Sequence, residues 1–257
     1  MAKIHPTAIV DPRAKLGETV SIGPYTFVGA EVFIDEGTVV GANCMLDGNT
    51  KIGKHCRIFT GAVIGSIPQD LKFKGERTSL EIGDHNVIRE YVTINLGTKA
   101  TGKTVIGNHN LIMAYSHIAH DCRLGNGIII ANVGTLAGHV TIEDRAVIGG
   151  MVAIHQFVRV GTLSIIGGCS KVIQDIPPYS TCDGHPAKFY GLNTVGLRRA
   201  GIKLEVRNAL KTATKILFQS GLSFSHALEE IEKKLPLYAE IKHLIDFVRT
   251  SQRGVCR

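Results

Sequence analysis

Tryptophan is absent from this 257-residue chain, and aromatic residues make up only 6% of it. Hydrophobic residues still reach 44%, so a core is available and it has to be aliphatic. That share excludes a disordered chain. No apolar run approaches the roughly 20 residues that span a bilayer. The opening Met1-Ala2-Lys3-Ile4-His5-Pro6 carries no hydrophobic signal segment. A cytoplasmic protein with no membrane insertion is expected. Cys44, Cys56, Cys122, Cys169, Cys182 and Cys256 form no Cys-x-x-Cys pair, which excludes a zinc knuckle or a redox motif of that spacing. The net charge is +7 without any long basic tract or nucleic-acid-binding signature, so the expected partners are acidic ligands or proteins and not nucleic acid.

Glycine, by contrast, is abundant at 29 residues, and the chain repeats. Steps of six from Ile4 to Val172 meet Ile, Leu or Val at 26 of 29 positions, missing only Asp70, Glu76 and Ala100. Three short strands, each pointing one aliphatic side chain inward, would close a triangular coil, and stacked coils would pair as parallel sheets. Hexapeptide repeats of this kind specify a parallel β-helix. Glycine often follows the inward residue, as at Gly17, Gly23, Gly107 and Gly149. It is expected to turn the corner there through positive φ. Twenty-nine hexads predict nearly ten coils, a prism roughly 45 Å long.

The register lapses at about 66–79 and 96–104, where surface loops are expected, and interrupting loops of this kind are often functional. The repeat stops at Asp175-Ile176-Pro177-Pro178. Helical spacing then appears over 205–219, 225–235 and 239–249. The division expected is a β-helix over 1–190 and a helical domain over 191–257. The helices would cover the open strand edges of the last coil.

Six of the eleven histidines lie between 85 and 155, most densely in Ser116-His117-Ile118-Ala119-His120-Asp121-Cys122. His120 beside Asp121 suits a base whose charged form a carboxylate stabilises. Stacking by eighteen places Gly138 next to His120, Gln156 beyond it, His139 over Asp121 and Thr135 over His117. A glycine in such a column leaves a backbone N–H open to an oxyanion. His117, His120 and His139, with His85, would equally supply a three-histidine zinc site, so from the residues alone both readings stand.

These segments together resemble the UDP-N-acetylglucosamine O-acyltransferase family. The likeness rests on the hexads, Gln69-Asp70-Leu71-Lys72, His117-Ile118-Ala119-His120-Asp121-Cys122 and Leu136-Ala137-Gly138-His139-Val140. It extends through Ile148-Gly149-Gly150-Met151, His155-Gln156-Phe157, Gln174-Asp175-Ile176-Pro177-Pro178-Tyr179 and the helical tail, and covers essentially the whole chain. The resemblance implies a left-handed β-helix with a C-terminal α-helical domain, assembled as a homotrimer with sites between subunits. It implies transfer of a 3-hydroxyacyl group from acyl carrier protein to the glucosamine 3-position of UDP-N-acetylglucosamine, the first step of lipid A synthesis. It further implies His120 as general base, Asp121 as its partner and the Gly138 N–H as oxyanion donor.

Asp70, Lys72, His117, His139 and Gln156 would line the substrate cleft, and Asn193 and Arg199 would hold the nucleotide. Gly167, Gly168 and Lys171 fall where relatives set acyl-chain length. No metal or cofactor is implied, since the acyl group arrives on the phosphopantetheine of the carrier protein. Val195 and Ala200 stand where well-known members carry an acidic and a second basic residue. Acyl carrier proteins are acidic, which suits a +7 chain. The alternatives from other classes are a zinc lyase and a structural scaffold. Within the fold, the rival is an N-acyltransferase with an additional N-terminal domain.

Overall fold

A computed structural model describes all 257 residues. The hexads form a left-handed parallel β-helix with α-helices at its C-terminal end. Its three sheets begin at Lys3–Ile4, Ile9–Val10 and Lys15–Leu16 and contain eleven, nine and eight strands. Most strands are two residues long, the outer residue facing out and the inner one buried, as in Phe27–Val28 or Arg57–Ile58. Ile22, Val40, Ile58, Ile88, Ile112 and Ile130 stack as one aliphatic column inside, which is why the chain needs so few aromatics.

The loops explain how the repeat survives interruption. Strand partners are 18 residues apart in Ile4↔Ile22, 30 apart in Ile58↔Ile88 and 24 apart in Ile94↔Ile118. The excursions between Ser66 and Ser79 and between Asn95 and Lys103 therefore add twelve and six residues, whole hexads that restore the register. The hexads at Asp70, Glu76 and Ala100 leave the coil, so 26 build it, not 29. The stack is nearer 40 Å than 45 Å, at about 4.8 Å per coil.

The expected role of glycine needs correcting. Gly17, Gly23, Gly107 and Gly149 do not have positive φ; a Cβ there would come within 2.5–2.7 Å of the next coil's backbone. They permit close approach between coils. Positive φ falls two residues later, at seventeen non-glycine positions that include His85, Tyr115, Asp121 and His139. Stacking accompanies that conformation: His55, His85 and His109 form one column, Tyr91 and Tyr115 another.

At the C-terminal end, Ser180–Gly184 extends the first sheet and turns back through an antiparallel strand, Ala187–Leu192. Helices α1 (Thr194–Arg199), α2 (Leu204–Gln219), α3 (Phe224–Lys234) and α4 (Ala239–Arg249) follow. The hairpin and α1 were not legible in the repeat pattern. Leu210, Leu217, Ile231 and Leu244 pack together and onto Leu163 and Tyr179 of the last coils. The tail closes the end: the Asp175 N–H donates to Gly254 O, and the Cys256 N–H to Asp175 O. The N-terminal coil has no such cover, and Ile4, the inward residue of its first strand, is 47% exposed.

Candidate functional site

His117 lies on the strand His117–Ile118 of the second sheet, with Ile118 buried inside, so the chain turns outward at His120 and Asp121. Asp121 takes the positive-φ corner conformation, with φ of 62°. Its side chain is fully buried, and His120 Nδ1 stands 2.8 Å from its Oδ2. The second loop wraps this carboxylate. The Thr98 N–H and hydroxyl donate to it at 3.0 and 2.7 Å, and the Thr101 hydroxyl donates to Oδ1. Burial by itself would raise the Asp121 carboxyl. The hydrogen bonds from Thr101, His120 and Thr98 outweigh burial and hold it below the ordinary carboxylate range.

One coil on, Gly138 lies against the His120 ring; a Cβ there would fall 2.6 Å from Cε1 and 2.8 Å from Nε2. Its N–H donates to no backbone carbonyl. At the corner after the third sheet the equivalent N–H groups of Asn108 and Asn126 are taken by the side chains of Asn126 and Asp144. The Gly138 N–H therefore has no partner within the chain and is free to meet a ligand beside His120. His139 sits edge-on to His120, stacks on Phe157 and places Nε2 3.6 Å from Asp121. His117 Nδ1 pairs with the Thr93 hydroxyl at 2.7 Å. Burial lowers the pKa of both His117 and His139; the charge of His120 adds to the lowering, while Asp121 opposes it at His139.

The structure brings His117, His120, Asp121, Gly138 and His139 together. The Asp70 charge acts on His139, so the first loop approaches the same centre. Gln156 is exposed on the following coil, and Lys72 is exposed with no ion pair. Asn193 caps α1 by accepting from the Gly196 N–H and donates to Leu163 O, while Arg199 is exposed. No hydrogen bond or ion pair joins Lys72, Asn193 or Arg199 to the histidines within the chain. A Cβ at Gly168 would meet only the Gly150 backbone, its O at 3.3 Å and its N at 3.9 Å, whereas Gly167 abuts the Asp183 carboxylate. Lys171 ends an apolar groove of about 250 Å³ on the second sheet, lined also by Thr135, Ala153, Ile154, Val172 and Ile173. A second cleft of about 280 Å³ at Arg13, Lys15, Phe33, Lys51 and Arg77 shares none of these residues.

Donor atoms of His120, Asp121 and His139 fall within 4.8 Å of one another, so the zinc alternative has a partial ligand set. His85, however, stacks with His55 and His109 in another column, and the Asp121 oxygens already accept from Thr98, Thr101 and His120. The arrangement is that of a hydrogen-bonded dyad. Cys122, next in sequence, is inert: burial pushes its thiol up to about 12.

Thr93, Thr98 and Thr101 escaped the sequence reading, and Phe157 entered it only within the His155-Gln156-Phe157 likeness, with no role assigned. The only signal was that the loop at 96–104 sits one coil before Asp121. Replacing Thr98 and Thr101 by valine removes hydroxyl donors from a buried carboxylate and is expected to cost about 1–3 kcal/mol per donor lost, read by denaturant unfolding. A second expectation concerns pH. A histidine whose folded pKa lies below its unfolded value, about 6.5, stabilises fully above that value and loses the contribution as pH falls below it. Thermal melting should therefore decline from pH 7 to pH 5, and less so in His117→Asn.

The family described as "Udp N-acetylglucosamine O-acyltransferase; Domain 2" matches residues 175–256, and the bacterial transferase hexapeptide family matches residues 103–133. The acyl-[acyl-carrier-protein]–UDP-N-acetylglucosamine O-acyltransferase of Alkalilimnicola ehrlichii is 54% identical over 258 residues and covers 100% of both chains. That of Burkholderia mallei is 54% identical over 262 residues with the same coverage. Among solved structures, the UDP-N-acetylglucosamine acyltransferase of Bacteroides fragilis superposes with a TM-score of 0.97 at 45% identity, covering 98% of this chain and 99% of that one. The LpxA of Acinetobacter baumannii gives 0.96 at 42% identity and 99% of both.

Proposed function

Since the chain belongs to the acyl-[acyl-carrier-protein]–UDP-N-acetylglucosamine O-acyltransferase family and is an acyltransferase, we propose that it moves a 3-hydroxyacyl group from acyl carrier protein to the 3-hydroxyl of the glucosamine in UDP-N-acetylglucosamine, opening lipid A synthesis. The observation that carries this reading is the triad of His120, buried Asp121 and the open Gly138 N–H.

Asp121 fixes the proton on His120 Nδ1 and leaves Nε2 as the acceptor. A sugar hydroxyl placed against Nε2 gives up its proton as its oxygen attacks the thioester carbonyl. The tetrahedral oxyanion receives the Gly138 N–H. Collapse breaks the C–S bond, and the His120 imidazolium returns its proton to the departing thiolate. Asp121 remains ionised throughout and stabilises the imidazolium. General-base help contributes about 10²–10⁴ in rate and an oxyanion donor about 10²–10³. The thioester is already activated, so the reading requires no metal and no cofactor beyond the phosphopantetheine arm that carries the acyl group.

His117, His139, Gln156, Asp70 and Lys72 surround the sugar and diphosphate in this reading, with Asn193 and Arg199 toward the nucleotide. Asn193 has its side chain committed to capping, so its contribution is to place α1. The bare backbone at Gly168, beside Gly150, gives the acyl chain room. Assembly as a homotrimer is supported by the outer face of the first sheet, where Val87, Leu111, Ile129, Val147 and Ile165 form an aliphatic stripe over five coils. A solvated face would not carry such a stripe. No helix is long and apolar enough to cross a membrane.

The test is incubation with UDP-N-acetylglucosamine and a panel of 3-hydroxyacyl carrier proteins, the product followed by mass spectrometry. Acylated sugar nucleotide is expected. Absence of product with every donor, alongside product from the 3-amino sugar nucleotide, would move the acceptor from oxygen to nitrogen.

A further inference from the structure

Two of the six cysteines meet. Cys182, on the strand Ser180–Gly184, and Cys256, the penultimate residue, place their Sγ atoms 3.5 Å apart, and both are buried. The other buried thiols, Cys44, Cys56 and Cys122, lie against the carbonyls of Phe59, Gly83 and Ala137, and Cys169 is exposed. The two partners stand 74 positions apart, and the stretch between them holds the return strand of the hairpin and all four helices. Asp175 fastens the tail that brings Cys256 in. Its backbone bonds Gly254 and Cys256, and its carboxylate accepts from the Ser251 hydroxyl at 2.7 Å. Cys256 enters the core of the prism while its neighbour Val255 enters that of the helices, so the last residues stitch the two cores together.

Contact makes the two thiols unequal. The hydrogen bond from Cys256 holds the Cys182 thiol below its ordinary value against burial, while the bond to Cys182 and burial push Cys256 up. Cys182 is therefore the first of the pair to ionise, and the thiolate is the reactive form. A disulfide is about 2.05 Å long, so the sulfurs have to approach by only about 1.5 Å. The tail supplies that movement and the access that an oxidant needs. Arg257 is exposed, Gly254 turns through a φ of 72°, and the backbone of 251–257 joins no sheet beyond the single bridge between Asp175 and Val255.

We propose that Cys182 and Cys256 are a redox-closable pair, a modification site at which a peroxide ties the C-terminal tail to the hairpin. The Cys182 thiolate attacks one oxygen of hydrogen peroxide, the O–O bond breaks, and hydroxide leaves with the proton that the thiol gave up, as water. The sulfenic acid so formed is attacked at sulfur by Cys256, whose proton departs with the hydroxyl as a second water. Two thiols are oxidised to one disulfide, and one peroxide is reduced to two waters. The bond closes a loop that contains every helix of the chain, and long loops gain most from such a constraint. It also fixes the position of Arg253, which donates to the Ile173 carbonyl and meets His155 Nδ1 at 3.2 Å on the wall of the apolar groove.

The experiment treats the full-length, fully reduced protein with hydrogen peroxide, as wild type, Cys169→Ser and Cys256→Ser. Mass spectrometry reads the intact mass and any cross-linked peptides, and hydrogen exchange and thermal melting read the tail and the helical domain. The wild type and Cys169→Ser should each yield a peptide pair joining Cys182 to Cys256, lighter by two hydrogens and reopened by dithiothreitol. Exchange at Val255 and Cys256 should slow by about tenfold or more on closure, and the melting midpoint should rise by roughly 5–10 °C. Cys256→Ser should stop at an oxygen adduct on Cys182 and show no rise. A wild type that keeps both thiols, gains oxygen without the cross-link, or joins other cysteines instead overturns the pair. Tail exchange as fast after closure as before it overturns the tie. Should Cys256→Ser fail to fold, Cys256→Ala takes its place, and the wild-type peptide map decides in either case.

Discussion

His120→Ala is expected to lower kcat for acyl transfer by about 10³-fold, within the roughly 10²–10⁴ that a positioned general base supplies. One side chain serves both half-steps, taking the hydroxyl proton and returning it to the leaving thiolate, so no second group covers its loss. The fold should tolerate the change. His120 is partly exposed, at 14% of its side chain, and Asp121 keeps its donors from Thr98 and Thr101 when the imidazole is gone. Thermal stability should fall only by the cost of one donor lost to Asp121, about 1–3 kcal/mol, while turnover collapses, with KM for the sugar nucleotide nearly unchanged. His139 is the neighbouring imidazole, its pKa lowered by burial, but its ring is committed to stacking on Phe157. Near-normal activity in His120→Ala would mean that the proton leaves by another route, and His139→Ala would then show the larger loss.

Gly138→Ala is expected to give a folded but nearly inactive protein, with kcat down by about 10² or more, the scale of a displaced general base. The added methyl falls 2.6 Å from His120 Cε1, closer than any Cβ sits to a neighbour. The imidazole must rotate, which breaks its 2.8 Å contact with Asp121 and moves Nε2 away from the donor. The coil itself is not strained, since Gly138 lacks a positive φ and the obstacle is a side chain, not backbone. Alanine also narrows the unfolded ensemble, which offsets part of the cost of the donor lost to buried Asp121, so the melting temperature should fall only slightly. Gly191→Ala, with nothing within 4 Å, serves as the neutral comparison. Full activity in Gly138→Ala would overturn the stacked placement of His120; the backbone N–H survives in alanine, so the oxyanion role is not what this variant tests.

The six-residue step made the coil legible, because each hexad repeats one physical event: an aliphatic residue turned inward. The same arithmetic placed His120 over Gly138 and Asp121 under His139, since parallel pairing at a spacing of eighteen leaves no freedom past the loops. Thr98 and Thr101 were invisible because a loop's path is set by local hydrogen bonds and not by periodicity. The function of glycine was misjudged for a related reason. Composition shows where glycine stands, but not whether φ or the next coil's backbone demands it, and here most corners with positive φ carry a residue other than glycine. The hairpin at Ser180–Leu192 begins where the hexads end, so no repeat announced it.

The two ends of the prism differ, and that difference sets the order in which the molecule loosens. Each coil is held only by its neighbours, so opening spreads from a terminus and not from the middle. The C-terminal face is sealed by helices and by the Asp175 bonds to the tail, while the first coil offers its strand edges to water. Its strands are two residues long, and Lys3 and Lys15 lie on them, which discourages end-to-end joining of one prism to another. Amide protons should exchange first near Ile4 and Ile9 and progressively later toward His120. The reacting centre, roughly two thirds of the way along the hexads, is thereby insulated from the fraying that the open end cannot avoid.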